Sequence, residues 1–226
     1  RYFSGESFTE EEIYSALREQ VATGDMAPVM MGSGVNAQGA NALMNAIVRY
    51  FPSPERAARD SGVDLTTGEH FVANYKPDVN LSMKVFKTIA DPFIGKYSLV
   101  KVLTGVLRAD SELFNTGKEV EEKSGKIYVL RGKEAIEVTE LRPGDIGAMA
   151  KLNETETGDT LARKQAPILY NAPQISKPYT YKAYVAKNKG DEDRIASGLA
   201  KLMEEDRTLR AEVDAENRQS LLYGIG

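Results

Sequence analysis

The first clear pattern along the chain is helical. In "SFTEEEIYSALREQVATGD", Ile13, Leu17 and Val21 recur at a spacing of four and share one helix face. Thr9 and Glu12 have capping-box spacing, acidic residues fill the first turn, and Gly24 follows the last apolar position. The apolar run "APVMM" that follows predicts a short buried strand. A second helix is predicted from Ala40 to Phe51, with Leu43, Ala46, Ile47 and Tyr50 on one stripe, and "PSPER" stops it at Pro52–Arg56.

Residues 57–80 have no clear periodicity and are predicted to be a connector. From Leu81 the pattern changes to period two. Short strands are predicted in "SMKVFKTI", "YSLVKVLTGVLR", "SELFNT", "KIYVLRG", "EAIEVTEL" and "IGAMAKL", divided by turn chemistries such as "DPFIGK", "KSGK" and "RPGD". So many short strands with regular turns predict a closed all-β barrel over residues 81–165, ending with "TETGDTLA". A Pro-dotted connector, "QAPILYNAPQISKP", leads to a third unit at 174–226. There "YTYKAYV" alternates as a strand, and Ile195, Leu199, Leu202 and Met203 mark one helix face. "LRAEVD" and "RQSLLYGIG" read as a hairpin. The order β-α-β-β is the first two-thirds of a split βαβ unit, ferredoxin-like but lacking its second helix and last strand. The expected fold class is therefore multidomain: an α/β piece, an all-β barrel and an α+β unit.

Composition narrows the function. The chain has 226 residues, enough to bury a proper core in one or two domains. Its net charge of −4 excludes the broad basic surface of an autonomous RNA-binding domain, so any RNA contact is local. No apolar run reaches the roughly 18 residues of a membrane span, and no secretory signal is present, so no membrane partner is expected. The absence of cysteine excludes a disulfide scaffold or Cys-ligated metal and fits a cytoplasmic location. A start at Arg1 and an end at "LLYGIG" without a polar tail suggest a piece of a longer chain.

A lone histidine, His70, cannot form a metal cluster and is expected at the surface. The acidic runs "TEEEI" and "GDEDR" read as helix N-terminal charge and "KEVEEK" as a solvated turn. Tyr179, Tyr181 and Tyr184 are expected to serve packing rather than base stacking. Lys96, Lys101 and Arg108 alternate with apolar residues at the start of the barrel. They could position on phosphates or simply face solvent.

"VMMGSGVNAQGANALMNAIV" has a nucleotide-loop look. It contains G-x-G-x-x-A at Gly32, Gly34 and Ala37, and G-x-x-x-x-G at Gly34 to Gly39. A dinucleotide fingerprint needs a second strand ending in an acidic residue about 20 positions on, and here a stop and a linker follow instead. A phosphate loop needs Lys and then Ser or Thr after its second glycine, and here Ala40 and Asn41 stand there. On local grammar the segment is a strand-to-helix turn.

Three later segments carry a family resemblance. "VFKTIADPFIGKYSLVKVLTGVLRADSELFN", "RPGDIGAMAKLNETETGDTLA" and "LAKLMEEDRTLRAEVDAENRQSLLYGIG" resemble bacterial elongation factor G, in the order and spacing of its barrel second domain and its third domain. D-P-F-I-G-K and T-G-D-T-L are the specific motifs. The first 56 residues resemble the end of that family's P-loop GTPase domain, with Gly32-Ser33-Gly34 and Pro52-Ser53-Pro54 at the matching places. The region 57–80 matches least.

The resemblance implies a multidomain GTPase that drives movement of tRNA and mRNA on the ribosome, with GTP and Mg²⁺ as cofactors of the intact protein. It implies that Ser33, Gly34 and Val35 form the loop that meets the guanine base through backbone amides. Gly34 stands where the family usually has alanine. It also implies that the barrel, with Lys96, Lys101 and Arg108 as candidates, touches ribosomal RNA. The phosphate loop, both switch segments and the Asn-Lys-x-Asp motif lie upstream in the family, so this chain alone is expected neither to hold nor to hydrolyse GTP, and no cofactor is expected in it. Two other parents share these domains: a ribosome-protection protein of the tetracycline-resistance type, and a non-translocating paralogue acting as a ribosome-binding module. The third unit's open sheet is expected to pack on the barrel, to associate with a second copy, or to be poorly ordered.

Overall fold

The computed structural model describes residues 2–57, 60–91, 95–132 and 134–226. The chain divides into two compact units, Arg1–Ala58 and Arg59–Gly226.

In the first unit, α1 spans Glu10–Thr23 and α2 spans Ala40–Tyr50. The expected capping box forms. The Glu12 N–H donates to Thr9 Oγ1 at 3.3 Å, and the Thr9 N–H donates to Glu12 Oε2 at 2.9 Å. Gly24 closes α1 in the left-handed conformation. The helices meet where the Tyr14 and Tyr50 rings lie 6.2 Å apart, with the Arg49 guanidinium 4.4 Å from the Tyr14 centroid. "APVMM" is not a strand: it makes no ladder, and Val29 is 92% exposed. A strand needs a neighbour as well as an apolar sequence. No strand lies beside this segment among the described residues of the unit.

The second unit holds the β structure. In chain order its strands are β1 (Ser61–Asp64), β2 (His70–Val72), β3 (Ser82–Asp91), β4 (Gly95–Thr104), β5 (Leu107–Arg108), β6 (Glu112–Asn115), β7 (Val120–Lys123) and β8 (Ile127–Arg131). They continue as β9 (Glu134–Val138), β10 (Glu140–Leu141), β11 (Ile146–Ala150), β12 (Thr160–Ala162), β13 (Ile168–Tyr170), β14 (Thr180–Tyr184), β15 (Arg210–Asp214) and β16 (Gln219–Gly224). Helix α3 (Glu192–Glu205) lies between β14 and β15.

Eight strands form one antiparallel sheet in the order β7-β6-β12-β3-β4-β11-β8-β9. Met83, Val85, Val100, Ile127, Met149 and Leu161 project from it into a single core, joined there by Leu107 and Leu141 of the small β5–β10 pair. A β-bulge between Val85 and Lys87 places Phe86 outside the ladder. It switches the inward residues of β3 from Met83 and Val85 to Thr88. The expected barrel takes the form of one sheet wrapped on a single core, and among the described residues its end strands β7 and β9 are not ladder neighbours. Both ends carry charge, as Glu121, Glu122 and Lys123 on β7 and Glu134 and Glu137 on β9, which suits an edge. "KEVEEK", expected to be a solvated turn, contributes strand β7. Its alternating exposure gives only a half-buried pattern. The Pro92–Ile94 tip of "DPFIGK" lies outside the described residues.

The region 57–80 is not an aperiodic connector. Strands β1 and β2 lie within it, and β1 pairs with β13, which lies inside the Pro-dotted segment expected to be a second connector. Each strand is too short to reveal a period, and β1 meets β13 about 100 residues away in sequence. Gly62 opposes Tyr170, and a Cβ there would lie 2.1 Å from the Leu169 carbonyl oxygen, so only glycine allows this approach. A buried hydroxyl chain fastens β13 to the main sheet. Ser82 Oγ is 2.7 Å from the Tyr170 hydroxyl and 2.6 Å from Thr104 Oγ1, while the Tyr170 N–H donates to Thr160 Oγ1 at 3.1 Å.

The last lobe has the expected strand-helix-strand-strand order. Its sheet runs β14-β16-β15, with β16 antiparallel to both neighbours. Helix α3 packs against β3. Glu205 Oε1 accepts the Ala90 N–H at 2.5 Å, and Arg207 Nη1 donates to Glu156 Oε2 at 2.9 Å. Tyr179 and Tyr181 are exposed rather than packed in a core. Tyr181 rests against Tyr223 with ring centroids 5.3 Å apart, because β14 is an edge strand.

Candidate functional site

The loop from Met31 to Ala40 is shaped by its backbone. Ser33 and Gln38 form an isolated antiparallel bridge, with the Ser33 N–H donating to the Gln38 carbonyl at 3.0 Å. The Asn36 N–H donates to Ser33 Oγ at 3.4 Å. Glycines bracket the loop because the chain crosses itself there. A Cβ on Gly32 would lie 2.7 Å from the Gln38 carbonyl oxygen. Gly39 has φ +80°, and a Cβ on it would lie 2.9 Å from the Met31 carbonyl oxygen. The N–H groups of Gly34 and Val35 make no hydrogen bond among the described residues, and Val35 is 96% exposed. A Cβ on Gly34 would meet nothing within 4 Å, so the space before it is open. Two free amides on a braced turn can donate to a carbonyl acceptor such as the guanine O6. The first 58 residues contain no lysine, so this unit offers no counterpart to a phosphate-loop ammonium.

The three basic candidates of the barrel differ in setting. Arg108 is exposed on β5, with Nη2 3.5 Å from Glu140. Lys96, on β4, donates to the Thr155 carbonyl at 3.3 Å. Lys101 is held inside a charge cluster. It stands directly opposite Lys84 across the β3–β4 ladder, an arrangement that is repulsive by itself. Asp60 lies against both, with Oδ2 3.0 Å from Lys101 Nζ and Oδ1 3.4 Å from Lys84 Nζ. The Tyr75 hydroxyl donates to Asp60 at 2.9 Å, and Lys101 Nζ sits 5.2 Å from the Tyr75 ring centroid. Tyr75 itself has φ +54°, an uncommon conformation for a bulky side chain. Burial pushes the Asp60 carboxyl upward. Hydrogen bonds from Lys101 and Tyr75, with the charges of both lysines, outweigh it and hold the group below its ordinary value. Burial is also the largest influence on Lys101, lowering it, but the hydrogen bonds to Tyr75 and Asp60 leave its ammonium raised.

Sequence reasoning singled out Lys101 but missed Asp60 and Tyr75. No local signal marks them, since Asp60 meets Lys101 across 41 residues and Tyr75 across 15. His70 is exposed on β2, opposite Val63.

The T-G-D-T-L motif is a bonded corner of the sheet. Thr157 and Thr88 hydroxyls are 3.0 Å apart, and the Gly158 N–H donates to the Val85 carbonyl at 2.8 Å. Asp159 accepts from Asn115 Nδ2 at 2.8 Å and from the Glu156 N–H at 2.9 Å, and Leu161 is fully buried. The motif is therefore a structural signature of this barrel.

The sheet with this corner and the strand-helix-hairpin lobe that follows it each match a known translation-factor domain. Residues 80–164 match the family model for Elongation factor G domain 2, and residues 175–226 match the one for Elongation Factor G, domain III. Together they take in more than half of the chain. A crystal structure of a protein from Thermus thermophilus superposes over 100% of this chain with TM-score 0.76 and 27% sequence identity. The chain belongs to the elongation factor G family. It spans 31% of the length of that solved chain. No helix among the described residues is long and apolar enough to cross a membrane.

Proposed function

We propose that this chain is the central portion of a translational GTPase that promotes GTP-dependent movement of tRNA and mRNA on the ribosome. The observation that carries this reading is the succession of the two matched domains in one chain. In this reading the first unit is the end of a P-loop GTPase domain. The last lobe is a ferredoxin-like domain lacking its second helix and final strand, in keeping with the order β14-β16-β15 and the crossover helix α3.

In the intact factor, Ser33, Gly34 and Val35 meet the guanine base. Ser33 braces the turn, and the free amides of Gly34 and Val35 supply the donors. GTP with Mg²⁺ supplies the phosphoanhydride that is cleaved, and the groups that handle it come from outside these residues. Lys96 and Arg108 are accessible to ribosomal RNA phosphates, while the Lys101 charge is largely satisfied within the fold. The intact factor works in the cytoplasm.

The test is pre-steady-state translocation by the full-length factor, followed with a fluorophore at the mRNA 3′ end. GTP-dependent mRNA movement is the expected result. Release of ribosome-bound tetracycline without mRNA movement would identify a protection protein, and ribosome binding with neither would identify a binding module.

A further inference from the structure

The positive charge of the first unit is unevenly placed. Residues 1–58 contain four arginines and no lysine, against seven carboxylates. Three of those arginines, Arg18 of α1, Arg49 of α2 and Arg56 of the turn after α2, line one groove of about 570 Å³. That volume is typical of ligand sites, which run from roughly 300 to 1,000 Å³.

Each arginine is held differently, and together they leave donors facing the groove. Arg18 is oriented by Glu11, 2.6 Å from its Nη2, and by the Tyr14 carbonyl, 3.4 Å from its Nε. Arg49 lies over the Tyr14 ring at 4.4 Å, a contact that uses the guanidinium face and leaves its in-plane N–H donors at the edge. The Arg56 side chain makes no hydrogen bond or ion pair among the described residues. Its backbone N–H donates to Ser53 Oγ at 3.4 Å, which fixes the turn that presents it. Ordinary surface roles account for Arg18, as the partner of Glu11, and for Arg49, as a cation at a helix C-terminus. Neither accounts for an unpaired third arginine on the same groove. Two apolar residues line the groove and are open to solvent, Val48 at 84% and Phe51 at 54% exposure.

We propose that this groove binds a short acidic peptide segment of a partner protein, with carboxylates on the arginine forks and an aliphatic side chain on Val48 and Phe51. Guanidinium forks match carboxylate geometry in a bidentate way. The alternative polyanion, a nucleic-acid backbone, fits less well. It would run beyond the groove over a unit whose charges, apart from these three arginines and Arg1, are all Asp and Glu. A short segment ends before it meets them. The proposal is independent of the ribosomal reading above.

The test uses the full chain and a fluorescein-labelled dodecapeptide of Asp, Glu and Leu, read by fluorescence anisotropy at ~0.1 M salt, where the Debye length is about 10 Å. The expected result is saturable binding that Arg56→Ala and Arg49→Ala each weaken by about tenfold. Lys126→Ala, a change in a surface cation of the other unit, is expected to leave binding unaltered. Arg56→Ala is expected to melt with the parent protein, because its side chain holds nothing in place. No saturable binding of the peptide would overturn the proposal. So would equal binding by Arg56→Ala and the parent, equal binding of the Asn/Gln analogue of the peptide, or tighter binding of an oligouridylate of the same length.

Discussion

Lys101 Nζ and Asp60 Oδ2 lie 3.0 Å apart, joining strand β4 to the segment that leads into β1. The pair solves a problem that the sheet creates. Lys84 and Lys101 face each other across the ladder, and one carboxylate set against both turns a repulsive pair into a clamp. The clamp and the Tyr170 hydroxyl chain together fix residues 60–75 and 168–170 to the barrel.

Asp60→Asn is expected to cost about 1–3 kcal/mol, since it leaves two partly buried ammonium groups facing each other. Thermal melting should register a drop of roughly 2–4 °C per kcal/mol for a chain of this size.

The pH dependence of stability follows from the same cluster. The Asp60 carboxyl is depressed, so its contribution is present above its unfolded pKa of about 4 and is lost as pH falls through the lower folded value. Asp60→Asn should flatten the acid side of the stability curve. The Tyr75 hydroxyl is raised, first by burial and then by Asp60, and the Lys101 ammonium is raised by its hydrogen bonds to Tyr75 and Asp60. Their contribution is full below about pH 10 and is lost as pH rises through the raised values. Urea denaturation across the pH range checks both flanks.

Gly62→Ala is expected to break the β1–β13 pairing, because the added methyl would lie 2.1 Å from the Leu169 carbonyl oxygen. Loss of amide hydrogen-exchange protection should concentrate at Ser61–Asp64 and Ile168–Tyr170 and spare β3 and β4. Protection equal to the parent protein at β1 would show that this close approach does not govern the pairing.

Much of the architecture was legible in the chain itself. Helix α1 announced itself through Ile13, Leu17 and Val21 and the Thr9–Glu12 box, since a helix is specified by neighbours within one or two turns. The long strands β3 and β4 showed their alternation. The losses came where structure depends on a distant partner. "APVMM" is apolar but has no ladder. β1 and β13 are too short to show a period and pair over about 100 residues. The candidate loop was legible as a turn rich in glycine. Which of its amides stay free became visible only once Ser33 was seen bridged to Gln38.

Arg207→Ala should have a local rather than a global effect. Its bridge to Glu156 is partly exposed on both sides, and such pairs contribute roughly 0.2–1 kcal/mol. The Arg207 hydrogen bond is the main reason that the Glu156 carboxyl lies below its ordinary value, so the variant should return that carboxyl upward. NMR titration of Glu156 Cδ, together with faster exchange of the Ala90 amide that donates to Glu205, checks both effects.

The chain alone is expected not to bind a labelled GTP analogue at micromolar concentration, because a base contact from Gly34 and Val35 lacks any phosphate grip. Equilibrium dialysis decides this, and micromolar binding would contradict the assignment of this loop to the base.

The proposed role of these domains in a ribosome-driven GTPase is tested most directly by the GTP hydrolysis rate of the full-length factor with and without ribosomes. Ribosomes are expected to stimulate hydrolysis by at least about tenfold, since groups supplied in trans to a GTPase centre raise turnover by orders of magnitude. An equal rate with and without ribosomes would contradict that role.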